Sequence, residues 1–299
     1  MELWVIATLA AAFFQTLRFM LHKVLSTTGL STAGSTFARF AYAAPAALLV
    51  VSLYLWAQGM APPELSLRFW GFALWGALGQ ILATMCVVAL FRQRNFAVGI
   101  TFKKTEVIQT ALLAVVVLGE RVSLAGWGAI GIGLIGVLLL SDAPGPGGLL
   151  RRIASRAVAL GLGSGLLFAF SAVGYRGATL QIPSDDPLLR AGVTLVCVTL
   201  VQSAAMALWL RWREPGQLGA VWRARGRAIW LGLSSMAGSL GWFTAYTLQQ
   251  AAYVQALGQV ELIFSLMASV LFFRERVSRR ELAGIGFLTL SILALVLAI

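Results

Sequence analysis

Charge is scarce in this chain. Of 299 residues, 11% are charged and 59% are hydrophobic. A soluble globular chain carries about 25% charged residues. Too little polar surface remains here to cover a water-soluble body, so the bilayer is the natural solvent. Histidine occurs once, as His22, and cysteine twice, as Cys86 and Cys197. That scarcity excludes a His/Cys metal site of ordinary spacing and a disulfide framework. The sequence has no Walker-type glycine loop and no nucleophile–base pair in recognisable context. It therefore gives no support to an enzyme or a nucleotide-driven machine, and no cofactor is expected. The formal charge is +12, but the basic residues fall between apolar runs and form no stripe, so nucleic acid is not an expected partner.

What the chain does have is long apolar runs. Ten of them, near 3–22, 32–56, 68–90, 96–118, 123–141, 157–179, 188–210, 228–249, 254–272 and 280–298, are each about long enough to cross a bilayer as a helix. The runs are continuous rather than alternating, which argues against a β-barrel. The first begins at Leu3 with no basic segment before it and no convincing cleavage site, and reads as a permanent span, not a signal peptide. The expected fold is an all-α integral membrane protein with ten transmembrane helices.

The chain also repeats itself. Gly119-Glu120-Arg121-Val122-Ser123 follows one apolar run and Arg274-Glu275-Arg276-Val277-Ser278 follows another. Glu120 and Glu275 are 275 − 120 = 155 residues apart, and the same offset carries Glu106 onto Glu261 and Gly131 onto Gly286. A Gly/Pro-rich joint, residues 143–156, separates a first five-span unit, 1–142, from a second, 157–299. Five is odd, so the second copy must lie upside down relative to the first, giving two inverted repeats. One set of joints carries Lys23, Arg92, Arg94, Arg151, Arg152, Arg156 and every arginine from Arg211 to Arg280, whereas the other carries Arg68, Arg121, Arg176 and Arg190. The rich side should be cytoplasmic, which puts both termini outside, on the periplasmic face of an inner (plasma) membrane.

Of the acids, Glu106 and Glu261 fall deep within expected spans. A charged side chain at bilayer centre costs about 2.5–3.5 kcal/mol on insertion scales, so both should face the bundle interior or a wet cavity. There they suit proton titration or contact with a cationic part of a substrate. The plainer role for Glu106 is to neutralise Lys103, three residues earlier on the same helical face; Glu261 has no basic neighbour within a turn. Lys103 and Lys104 point about 100° apart on a helix, so one pairs with Glu106. The other is expected to snorkel to the interface or to meet an anionic group. Arg18 is expected to line a cavity with Gln15, and Arg39 to hold carbonyls or a carboxylate. Gly238, Trp242 and Tyr246 share a helical face and would wall a pocket or simply pack. Gln80, Gln202, Gln255 and Gln259 can hydrogen-bond across helices or orient a substrate.

Leu118-Gly119-Glu120-Arg121-Val122-Ser123, the glycine-rich span Gly126 to Gly136, their counterpart from Phe273 to Gly286, and Arg39-Phe40 resemble the drug/metabolite transporter superfamily, EamA type. The resemblance covers essentially the whole chain. One departure lies early in the fourth and ninth spans, where the family usually has proline and this chain has Lys103-Lys104-Thr105 and Gly258-Gln259-Val260. The resemblance implies a secondary transporter with a central cavity opened alternately to either side. An exporter of an amino acid or similar metabolite is expected, with protons as candidate coupling ions. Cationic-drug efflux and organic-anion transport are the alternatives within transport, and a non-transporting sensor or scaffold is the alternative outside it. Expected partners are a small-molecule substrate and the lipid bilayer, with the protein a monomer or homodimer.

Overall fold

Every described element is a helix, and several helix ends are set by local sequence. The computed structural model describes residues 2–26, 29–90, 103–140, 156–264, 267 and 279–297. In chain order the helices are α1 (Leu3–Ser26), α2 (Thr32–Gln58), α3 (Leu67–Leu90), α4 (Glu106–Leu118), α5 (Leu124–Leu140), α6 (Arg156–Leu180), α7 (Pro187–Arg213), α8 (Gln217–Arg223), α9 (Arg225–Leu248), α10 (Ala251–Gly258) and α11 (Arg279–Leu297). Ser31 opens α2 by accepting the Gly34 N–H at 2.9 Å. Asp186 opens α7 by accepting from Leu188 and Leu189, with Pro187 at the first helical position. Gly119, at φ 67°, closes α4 in a left-handed turn that a side chain would strain.

Five stretches are long and apolar enough to cross a membrane: Leu3–His22, Thr32–Gln58, Leu67–Leu90, Val158–Leu180 and Pro187–Arg213. Glu106–Leu118, Leu124–Val137 and Leu282–Ala294 are apolar but shorter. Helix α9 has the length but a polar buried face, with Ser234, Ser235, Ser239, Thr244 and Thr247 turned inward. The molecule is inside-out relative to a soluble protein. Leu49, Trp56, Leu78 and Val116 lie on the surface, while Arg18, Arg39, Lys103, Lys104, Glu106 and Glu261 are buried. That is the arrangement a hydrocarbon solvent favours.

The packing has an internal symmetry. The closest helix pairs are α3 with α6, α5 with α11, and α1 with α9. Exchanging α1 to α5, in order, for α6, α7, α9, α10 and α11 preserves the strongest contacts. Under that exchange α1·α9 becomes α6·α3, α2·α9 becomes α7·α3, and α4·α6 becomes α10·α1, all of them observed contacts. Three further contacts, α2·α7, α4·α10 and α5·α11, map onto themselves. The paired helices run antiparallel: Gly76 lies against Tyr175 and Gly79 against Leu167, and likewise Gly238 lies against Phe14 and Gly241 against Ala7.

The fourth and ninth spans differ from the continuous helices expected over 96–118 and 254–272. Residues 91–102 lie outside the described residues. The chain turns at 104–105, and α4 then starts at Glu106. Helix α10 starts at Ala251 and ends at Gly258; a turn follows at 259–260, then a helical turn over 261–264. Gly258 is required here, because a Cβ would stand 2.3 Å from Cη2 of the Trp242 ring. Both glutamates therefore sit at the start of a helical segment just after a break, not in mid-helix. The second Glu-Arg-Val-Ser copy and residues 143–155 of the linker lie outside the described residues.

Candidate functional site

The two breaks meet across the bundle. Lys103 donates to Glu106 at 2.7 Å within the first break. Lys104 reaches across to Glu261 of the second. In return Gln255, on α10, donates to Glu106 at 2.8 Å. Each repeat thus holds the other's carboxylate. The snorkelling expected for one lysine does not occur: Lys103 is 4% and Lys104 2% exposed. A carboxylate on the far helix outcompetes the interface, because an unpaired buried ammonium carries a large desolvation penalty.

Glu261 also accepts from Gln15 Nε2 on α1. Gln15 Oε1 in turn accepts from Arg18 at 2.8 Å and from the indole N–H of Trp242 at 3.0 Å. The amide therefore links the guanidinium, the indole and the second carboxylate. On the opposite side Gln80 accepts from the Tyr175 hydroxyl at 2.9 Å and from Gln202 at 3.0 Å. The Gln80–Tyr175 bond joins α3 to α6, and the Gln15–Trp242 bond joins α1 to α9. The helix exchange described above carries one bond onto the other.

Between these two bonds lies a cavity of about 30 Å³, lined by Gln15, Arg18, Gln80, Lys103, Glu106, Trp242 and Tyr246 together with Phe168, Ser171, Tyr175, Ser239 and Gln255. It has room for one or two waters among the described residues. Two stacked aromatic pairs line it: Trp242 on Tyr246, with centroids 5.8 Å apart, and Tyr175 on Phe243, at 4.3 Å. Arg18, 2% exposed, faces this cavity with its Nε unpartnered, and it forms no ion pair among the described residues. Such a guanidinium is a ready carboxylate contact.

Four expected site residues stand off the cavity wall. Lys104 and Gln259 line a smaller neighbouring space with Gly133 and Ser291, and Glu261 is one hydrogen bond behind Gln15. Arg39 is buried a layer further, donating to Thr84 at 2.7 Å. It finds a hydroxyl there, and no carbonyl or carboxylate bond to it is found among the described residues. His22 is buried beside it, its Nδ1 3.0 Å from the Ser35 hydroxyl. Cys86 and Cys197 are free and partly buried.

A second ionic cluster closes one end of the bundle. Arg176 on α6 pairs with Glu120 and donates to the carbonyls of Tyr246 and Gln249, at 2.5 and 2.7 Å, where α9 ends. Glu120 also accepts from the Ala251 N–H at 3.2 Å, at the start of α10. Tyr253 donates to Ser123 at 3.4 Å and accepts the Ser123 N–H at 3.1 Å. The repeated Glu-Arg-Val-Ser segment is thus a clamp that ties the first repeat's fourth helix to three helices of the second.

Sequence comparison finds the EamA-like transporter family matched twice, over residues 2–142 and again over 155–297. The chain belongs to the EamA-like transporter family. Family membership makes it a transporter and not an enzyme. A relative from Sinorhizobium sp, described as an uncharacterized transporter in the cobO 3′ region, is 29% identical over 131 residues, which are 42% of this chain and 86% of that one. A solved crystal structure of a protein superposes with a TM-score of 0.72 over 98% of this EamA-like chain and 96% of its own, at 14% identity. That likeness is one of fold.

Tyr175, Ser171 and Phe168 in this EamA-like transporter were not singled out from sequence. Ser171 and Tyr175 are four apart and share a helical face, the only local signal they give. The Glu120–Arg176 clamp was also missed, since its partners come from different repeats. The motif was legible as a repeat marker, but its bonding was not.

Proposed function

We propose that this protein is a secondary transporter of a small carboxylate-bearing metabolite such as an amino acid, working as an exporter by alternating access. The observation that carries the reading is the buried Arg18 guanidinium facing a central cavity among ion-paired lysines and glutamates. Two cations, Arg18 and Lys103, line the cavity against one carboxylate, Glu106, and the neighbouring Lys104–Glu261 pair is balanced. The surplus favours a ligand bringing its own carboxylate and disfavours cationic drugs. Glu106 receives the ammonium end, Trp242 and Tyr246 shape the apolar part, and Gln80, Gln15 and Gln259 orient polar groups. The same surplus favours small organic anions as the second reading.

Ten transmembrane helices in two inverted repeats, 1–142 and 157–299 joined by 143–156, give the two halves that rock about the cavity. The exchange pattern of helix contacts supports this plan. The bias of basic residues among the joints supports an inner-membrane protein with both termini outside. Both halves lie in one chain, so a monomer suffices, and a homodimer would add no site residue. Lys104–Glu261 is the coupling pair: when the halves separate, Glu261 exchanges its ammonium partner for a proton.

The test is flux in proteoliposomes loaded with radiolabelled amino acids and simple carboxylates, under an imposed pH gradient. Saturable movement of at least one of them is expected, with Glu261→Gln losing the pH-driven component while the protein still folds. Flux no faster than through empty liposomes for the whole panel would overturn the substrate class. Flux indifferent to pH would overturn the coupling.

A further inference from the structure

A second, larger space lies away from the central cavity. At the end of the bundle held by the Glu120–Arg176 clamp lies an open recess of about 780 Å³. Its rim carries the guanidiniums of Arg68, Arg121 and Arg176 against a single carboxylate, Glu120. Its wall is apolar, formed by Phe72, Val117, Leu118 and Leu180. Glu120 is committed to Arg176, whereas Arg68 and Arg121 are exposed and form no ion pair among the described residues. The rim is therefore net positive beside an apolar slot. Among the described residues α3 and α4 share no main contact, each packing instead on α6, and the recess lies between their ends.

The depth of the recess decides what fits. It lies where α3 begins, at Leu67, and where α4 and α6 end, at Leu118 and Leu180. In a membrane-spanning bundle those ends sit at headgroup level. A guanidinium fork matches a phosphate oxygen pair, and an acyl chain matches the side wall. The geometry points to a binding site for an anionic phospholipid, its phosphate between Arg68 and Arg121 and one acyl chain along Val117, Leu118 and Leu180. The inference is independent of the transport substrate. It has a mechanical corollary: a headgroup that draws on Arg176 competes with Glu120 and loosens the clamp on α9 and α10.

The test is native mass spectrometry of the full chain in detergent, titrated with phosphatidylglycerol and, separately, with phosphatidylcholine. Wild type should retain phosphatidylglycerol in preference to phosphatidylcholine. Arg68→Gln/Arg121→Gln, both on exposed side chains, should weaken phosphatidylglycerol retention at least tenfold, since each basic group near a surface adds about a factor of five. Leu180→Asn should weaken it too, by a smaller factor. Equal retention of the two lipids would overturn the assignment, as would retention unchanged in the double variant. Displacement by inorganic phosphate at equal concentration would also overturn it, because the site would then take a free anion. Where the double variant unfolds early on heating, Arg121→Gln alone carries the same comparison.

Discussion

The two helix breaks occupy equivalent places in the two repeats and are wired differently. The first carries its own counter-ion: Lys103 neutralises Glu106 three residues away. The second has none, and Glu261 draws on Lys104 from the first. The carboxylates are in register, whereas Lys103-Lys104 of the first repeat stand opposite Gly258-Gln259 of the second. Glu106 consequently has a local counter-ion besides its bond from Gln255, whereas the counter-ion of Glu261 comes from the other repeat. A movement that parts the halves leaves the first pair intact and breaks the second.

That asymmetry can be broken directly. Glu261→Leu strands Lys104 in a buried site and should cost about 3–5 kcal/mol, read as an early unfolding transition in detergent. Lys104→Met/Glu261→Leu together should recover most of that stability yet restore no pH-driven flux. Glu106→Gln should cost less than Glu261→Leu, since its amide oxygen can still accept from Lys103 while Gln255 turns its own oxygen to the new amide N–H; equal losses would erase the distinction between the breaks. Arg18→Gln should lose about 1.5–3 kcal/mol of carboxylate binding, a tenfold to hundredfold rise in half-saturating concentration, with little change in unfolding temperature. Trp242→Phe removes the indole donor to Gln15, worth about 0.6 kcal/mol as the mean for such bonds within membranes, together with the ring atoms that lie over Gly258, which adds a packing loss. Its effect on flux should be the smallest of the set.

Much of the fold was readable because hydrocarbon solvent imposes so few options. Five long helices, α1, α2, α3, α6 and α7, follow from apolar length alone. Helix breaks are not written that way. Lys103-Lys104-Thr105 is compatible with a continuous helix by local propensity, and only the far-side carboxylate explains the turn. Gly258 gave no hint that Trp242 would lie on its backbone, because that contact joins residues from different helices. At the site, Gln15, Arg18, Gln80, Lys103, Glu106, Trp242 and Tyr246 line one cavity. All are polar or amphipathic groups that a lipid-facing surface would reject, which is why composition pointed to them. Tyr175 did not stand out, because a tyrosine in a membrane helix reads equally well as an interfacial anchor.

Arg176 bonds one carboxylate and two helix-end carbonyls at once, and the carboxylate also holds the first amide of α10. Each of these bonds shares a partner with another, so losing one weakens its neighbours and opening at that end should be cooperative. Under the proposed coupling, a cooperative clamp would keep the resting protein from bleeding protons across the membrane, so that an ion gradient is spent when cargo crosses.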